Sequence, residues 1–158
     1  MKLKAIIEED FVNYKKPSML LATCYCDWKC LTEKNLDIHI CQNSELALQK
    51  NIEVSVDEII ERYLDNPITK AVVIAGLEPM KQFDEVYEFI EVFRQKTNDD
   101  IVIYTGYYPE EIQDKINKLK KFNNIIMKYG RYEPNKPKRY DEVLGIWLIS
   151  DNQYAEVL

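Results

Sequence analysis

AVVIAGLEP at 71–79, IVIYTGYYP at 101–109 and IIMKYG at 125–130 repeat one design: a short, mostly apolar run closed by glycine. A continuous apolar run of this length suits a strand buried on both faces. Between the first two lies a segment near 84–96 in which Val86, Phe89, Ile90 and Phe93 recur at helical spacing. Between the second and third, Pro109 is well placed to open a helix that turns Ile112, Ile116 and Leu119 inward. Strand–helix–strand–helix–strand implies right-handed crossovers and a mainly parallel sheet, so the fold class is α/β.

Working outward, KAIIE at 4–8 and SMLLAT at 18–23 read as two further strands. Residues 44–50, SELALQK, form a short helix capped by Ser44. Ser55 with Glu58 fits a capping box that opens a helix over 56–65, with Ile59, Ile60, Tyr63 and Leu64 on one face. Asn66-Pro67 ends it. VLGIWLI at 143–149 reads as the last strand, after a loop at 131–140 rich in Pro, Lys and Arg. In parallel sheets ligands sit beyond the C-terminal strand ends. Three unusual segments fall there: the cysteines after 23, GLEP after 75 and TGYY after 104.

The 158 residues fit one domain spanning 1–158. A net charge of −6 argues against direct nucleic-acid binding, which needs a dense basic surface. No apolar run approaches the ~18 residues of a membrane span. The opening MKLKAIIEEDF turns acidic too early for a signal peptide. The expected location is the cytoplasm, with no membrane partner. His39 is the only histidine, which nearly excludes a Ser-His-Asp site.

All four cysteines, Cys24, Cys26, Cys30 and Cys41, lie in one short stretch. Disulfides usually staple distant segments, whereas clustered thiols in a cytosolic chain point to metal or redox chemistry. Thiolates suit zinc or an iron–sulfur cluster. Structural zinc sites usually use two CxxC-like pairs, which these spacings match poorly. Cys24 could replace one ligand or be a small buried hydrophobe.

Several motifs, in order along the chain, resemble the radical S-adenosylmethionine family, in particular the activating proteins of anaerobic ribonucleoside-triphosphate reductase. Cys26-x3-Cys30 is similar to the first half of CxxxCxxC, with Glu33 where the third cysteine would fall. Cys41-Gln42-Asn43 resembles the CxN that ends that motif, after a short insertion. Gly76-Leu77-Glu78-Pro79 resembles GGEP, with Leu77 replacing the second glycine. TGY at 105–107, KYGRY at 128–132 and Ser150-Asp151-Asn152-Gln153 resemble later landmarks of the same proteins.

The resemblance implies an open, incomplete (β/α) barrel of the radical S-adenosylmethionine type. It implies a 4Fe-4S cluster on Cys26, Cys30 and Cys41, with no catalytic residue beyond these ligands. S-adenosylmethionine would meet Gly76, Glu78, Thr105, Asn152 and Gln153, with Tyr107 as a weaker contact. The implied reaction installs a glycyl radical on a partner such as anaerobic ribonucleotide reductase, with electrons from an external donor such as flavodoxin. Two alternatives stay open: a related enzyme acting on a peptide or small molecule, and a non-catalytic zinc-binding interaction module.

Overall fold

The computed structural model describes Met1–Leu158. In chain order its elements are β1 (Lys2–Leu3), β2 (Ala5–Asp10), β3 (Ser18–Thr23), α1 (Lys29–Thr32), α2 (Ser44–Leu48), β4 (Ile52–Glu53) and α3 (Val56–Asp65). Then come β5 (Ala71–Gly76), α4 (Phe83–Arg94), β6 (Asp100–Tyr104), α5 (Gln113–Leu119), β7 (Ile125–Tyr129), β8 (Arg139–Asp141), β9 (Ile146–Leu148) and β10 (Tyr154–Val157). Short 3-10 turns occupy Ile38–Ile40, Pro79–Gln82 and Pro109–Glu111.

Six strands form one open sheet in the order β10-β7-β6-β5-β3-β2. The inner strands β3, β5, β6 and β7 run parallel. Both outer strands, β2 and β10, run antiparallel to their neighbours. This corrects the expected open, incomplete (β/α) barrel and its mainly parallel sheet. Two of the five pairings are antiparallel and the order ends in two free edges, so the sheet is mixed and no barrel forms. The connections explain it. The short turn after Asp10 carries the chain back beside β2, which requires antiparallel pairing. After β7 the chain makes an excursion through the β8–β9 hairpin and returns against β7 from the other direction.

The expected last strand at 143–149 is shortened to Ile146–Leu148 and pairs with β8 in a hairpin outside the main sheet. The true last strand, Tyr154–Val157, was not expected. Its sequence, YAEV, lacks the apolar run that marks a central strand, because an edge strand is half exposed.

One face of the sheet packs against α3, α4 and α5. Val72, Ile74, Phe89, Ile90, Phe93, Ile101 and Ile103 are fully buried there. The other face carries a smaller cluster built on Leu20, Val73, Val102 and Ile126, covered by Tyr14, Leu144 and Leu148. Ser55 caps α3 by accepting a hydrogen bond from the Glu58 backbone at 3.1 Å. No helix is long and apolar enough to cross a membrane.

Candidate metal centre

The C-terminal ends of β3, β5 and β6 meet as the apolar runs end. Gly76 closes β5 with φ +92°, and a Cβ there would lie 2.9 Å from Ala22 Cα on β3. Only glycine allows this approach. The next residues turn back over the cysteine segment: the Leu77 amide donates to Thr23 O at 3.4 Å and the Glu78 amide to Tyr25 O at 2.7 Å.

Glu78 is buried and accepts three hydrogen bonds. Its Oε1 accepts from the Met80 amide at 3.0 Å and from Thr105 Oγ1 at 2.8 Å. Its Oε2 accepts from the Gly106 amide at 2.8 Å. Burial pushes its pKa up, against these three hydrogen bonds. Glu78 therefore ties the β5 turn to the β6 turn. Thr105 does not cap a helix: it donates to Glu78 and accepts from the Tyr107 amide at 3.0 Å.

The four cysteines separate into two environments. Strand geometry ends at Thr23, so Cys24 and Cys26 do not continue one face. Cys24 is 7% exposed and faces the Pro79–Gln82 turn. Its thiol lies 3.3 Å from Gln82 Oε1 and 3.5 Å from Lys2 O. Cys26 and Cys30 line a shallow cleft with Asp27, Lys29, Glu78, Gly106, Tyr107 and Arg131. A left-handed turn at Trp28, φ 57°, lets its amide reach back to Cys26 Sγ at 3.2 Å and starts α1, which carries Cys30.

Cys41 follows the Ile38–Ile40 turn, and its sulfur accepts from the Asn43 amide at 3.4 Å. Asn43 Nδ2 donates to Gly76 O, which moors this part of the segment to the end of β5. The Cys41 thiol acts electrostatically on Cys30, and Cys30 on Cys26. Burial pushes the Cys26 thiol up to about 12 and the Cys30 thiol in the same direction. Metal ligation requires thiolates, so loading the site releases these protons.

Sequence reasoning missed the ion-pair network at the cleft. Arg131 makes a two-pronged bond to Glu111, at 2.6 and 2.7 Å. Its Nη2 also donates to Glu33 at 3.0 Å. Its Nε lies 2.7 Å from the second Glu33 oxygen but off the line of a hydrogen bond. Glu33, where a third cysteine would fall in CxxxCxxC, is thus an ion-pair partner of Arg131. Lys29 joins through Glu111, and Tyr107 Oη donates to Asp27. The signal available was the basic residue of KYGRY, whose partners lie 20 and 98 residues away.

Asn152 and Gln153 stand behind this network and do not line the cleft. Asn152 Nδ2 donates to Arg131 O at 2.8 Å and to Tyr108 Oη at 3.2 Å. Gln153 Nε2 donates to Gly130 O at 3.3 Å. The side-chain oxygens of both are buried without a partner. A larger, open groove between α4 and α5 contains no thiol.

The donor set fits an iron–sulfur cluster. No three His, Cys, Asp or Glu side chains are grouped to hold a single metal ion. Cys26 precedes α1, Cys30 lies in it and Cys41 follows the Ile38–Ile40 turn, so one short segment supplies three thiols, as suits cluster ligation by thiolates. No curated protein matches the chain. The model of one family, described as the 4Fe-4S single cluster domain, matches residues 18–154. That span takes in all four cysteines, the Glu78 turn and the Arg131 network, so the chain belongs to the 4Fe-4S single cluster domain family and is an iron–sulfur protein.

Proposed function

We propose that the chain is a radical S-adenosylmethionine activating enzyme that installs a glycyl radical on a partner such as anaerobic ribonucleotide reductase. Cys26, Cys30 and Cys41 each ligate one iron of the cluster. The observation that carries this reading is the burial of Cys24 against Gln82 and the Lys2 backbone, whereas Cys26, Cys30 and Cys41 are each partly exposed. Three thiolates would leave one of four irons open to the amino and carboxylate groups of S-adenosylmethionine. A fourth thiolate would close it.

A bound, reduced cluster would supply the electron for reductive cleavage of S-adenosylmethionine to methionine, and 5′-deoxyadenosine would form with a hydrogen atom taken from a partner glycine Cα. The chain's own residues bind and orient. The Glu78 carboxylate, already fixed by three donors, has a lone pair on Oε2 to accept from an ammonium. Gly76 lets the end of β5 pack against Ala22 of β3 and so sets the turn that carries Glu78. Asn152 and Gln153 hold the 130–131 turn from behind. The electron comes from an external donor, for which a flavodoxin is the natural class.

The test is anaerobic reconstitution followed by reduction with S-adenosylmethionine present. The expected result is a brown protein containing iron and sulfide that forms 5′-deoxyadenosine only when reduced. A loaded, reducible cluster that leaves S-adenosylmethionine intact would overturn the reading.

A further inference from the structure

β7 is buried along its whole length, yet its fourth residue is a lysine. Strand alternation sends Ile125, Met127 and Tyr129 into the helix-side core. Ile126 and Lys128 face the other way, and Ile126 joins the smaller apolar cluster. Lys128 is 6% exposed, and its ammonium lies 5.6 Å from the centroid of the Tyr104 ring. It makes one hydrogen bond, to Gly130 O at 3.2 Å. An ammonium has three donors, so two are left without a protein partner.

Lys128 does not line the cleft, but its backbone adjoins the cleft wall. Its backbone pairs with Tyr104, and its carbonyl accepts from the Thr105 amide at 2.8 Å. Thr105 in turn donates to Glu78, which lines the cleft with Cys26 and Cys30. Burial draws the Lys128 pKa down to about 8, while the Glu78 carboxylate and the Cys30 thiol both favour its charged form. The other cations at the cleft are spoken for: Arg131 pairs with Glu33 and Glu111, and Lys29 with Glu111. An under-satisfied buried charge costs stability that an apolar residue at this position would not. Such a break in local consistency marks a functional position.

We propose that Lys128 is a positioning residue for charge: its buried ammonium is the counter-ion of the iron–sulfur cluster and raises the cluster's reduction potential. The proposal rests on cluster ligation by Cys30. Net charge around a cluster helps set its potential. Each thiolate adds negative charge, and reduction adds one more. A fixed cation in a weakly screened interior favours the reduced state. S-adenosylmethionine cleavage is not needed for this effect, so the two readings stand or fall separately.

The experiment is a redox titration of the anaerobically reconstituted protein, followed by electron paramagnetic resonance, with Lys128→Met, Lys128→Gln and Lys128→Arg beside the parent. Gln keeps a donor for Gly130 O but loses the charge, while Met loses both. Both neutral variants should show a more negative midpoint. A tenfold fall in the reduced-to-oxidised ratio at fixed potential corresponds to about 59 mV for one electron. Lys128→Arg should stay close to the parent. Neutral variants that load iron normally and keep the parent midpoint overturn the proposal. If neither neutral variant loads a cluster, loading by Lys128→Arg supports the need for a charge. Failure of all three makes the residue structural and overturns it.

Discussion

The frame from 71 to 129 and the cysteine segment from 24 to 43 are held by different forces. In the frame, Val72, Val73, Ile74, Phe89, Phe93, Ile101 and Ile103 are fully buried and the strands are laddered to one another. In the cysteine segment only Cys24 and Leu31 are buried. Its helices are short, and side chains moor it to the frame: Asn43 to Gly76, Asp27 to Tyr107, and Glu33 to Arg131. The frame is stabilised by apolar burial and needs no ligand. The segment has little core of its own, so a bound cluster becomes part of its folding energy.

The largest expected effect tests that division within the segment itself. Cys26→Ala, Cys30→Ala and Cys41→Ala should each abolish the cluster, read as loss of iron and sulfide after reconstitution. Cys24→Ala should keep the cluster, because that thiol faces Gln82 and the Lys2 backbone. A Cys24 variant without iron beside a Cys41 variant that retains it would reverse the assignment of the third ligand.

The second effect contrasts the two regions by stability. Phe89 is fully buried in the frame and stacks on Phe93 at 5.4 Å between centroids. Phe89→Ala should cost about 3–5 kcal/mol in chemical denaturation of the metal-free protein. Ile38, 46% exposed in the cysteine segment, should lose no more than about 0.5 kcal/mol when changed to Ala. A comparable loss at Ile38 would show that the segment is folded into the core without its metal.

The frame was readable because its periods are local. β3, β7 and α3 have the bounds that SMLLAT, IIMKY and the Ser55 cap indicate. What was not readable was long-range. Whether a strand runs parallel or antiparallel depends on how the chain returns, so the two antiparallel edges were not foreseen, and the barrel was expected from the family resemblance alone. At the site, cysteines, GLEP and TGY stand out by composition, and the Glu78–Thr105 bond joins two of those segments. Arg131 and Lys128 do not stand out, because an ordinary basic residue becomes distinctive only through what surrounds it. Asn152 and Gln153, expected at the cofactor, address the Gly130–Arg131 backbone and do not line the cleft.

The smallest effect sharpens the comparison at the seam between the regions. Arg131 is the joint: it belongs to the loop after β7, yet it holds Glu33 of the cysteine segment and Glu111 of the Pro109–Glu111 turn. Hydrogen bonding from Arg131 holds the Glu111 carboxyl at about 2, below its ordinary 4.5. A depressed carboxyl pKa means the unfolded chain binds the proton more readily than the folded one. The stability this carboxylate contributes is therefore complete above about 4.5 and is lost as pH falls toward about 2. Glu111→Gln should cost about 1 kcal/mol at neutral pH, a modest figure because the pair is partly exposed to solvent. The gap between parent and variant in denaturant midpoints should close as pH drops through that window, since the protonated parent resembles the amide. A gap that persists unchanged at pH 2 would mean that Glu111 acts through its shape, and that the seam is not held by charge.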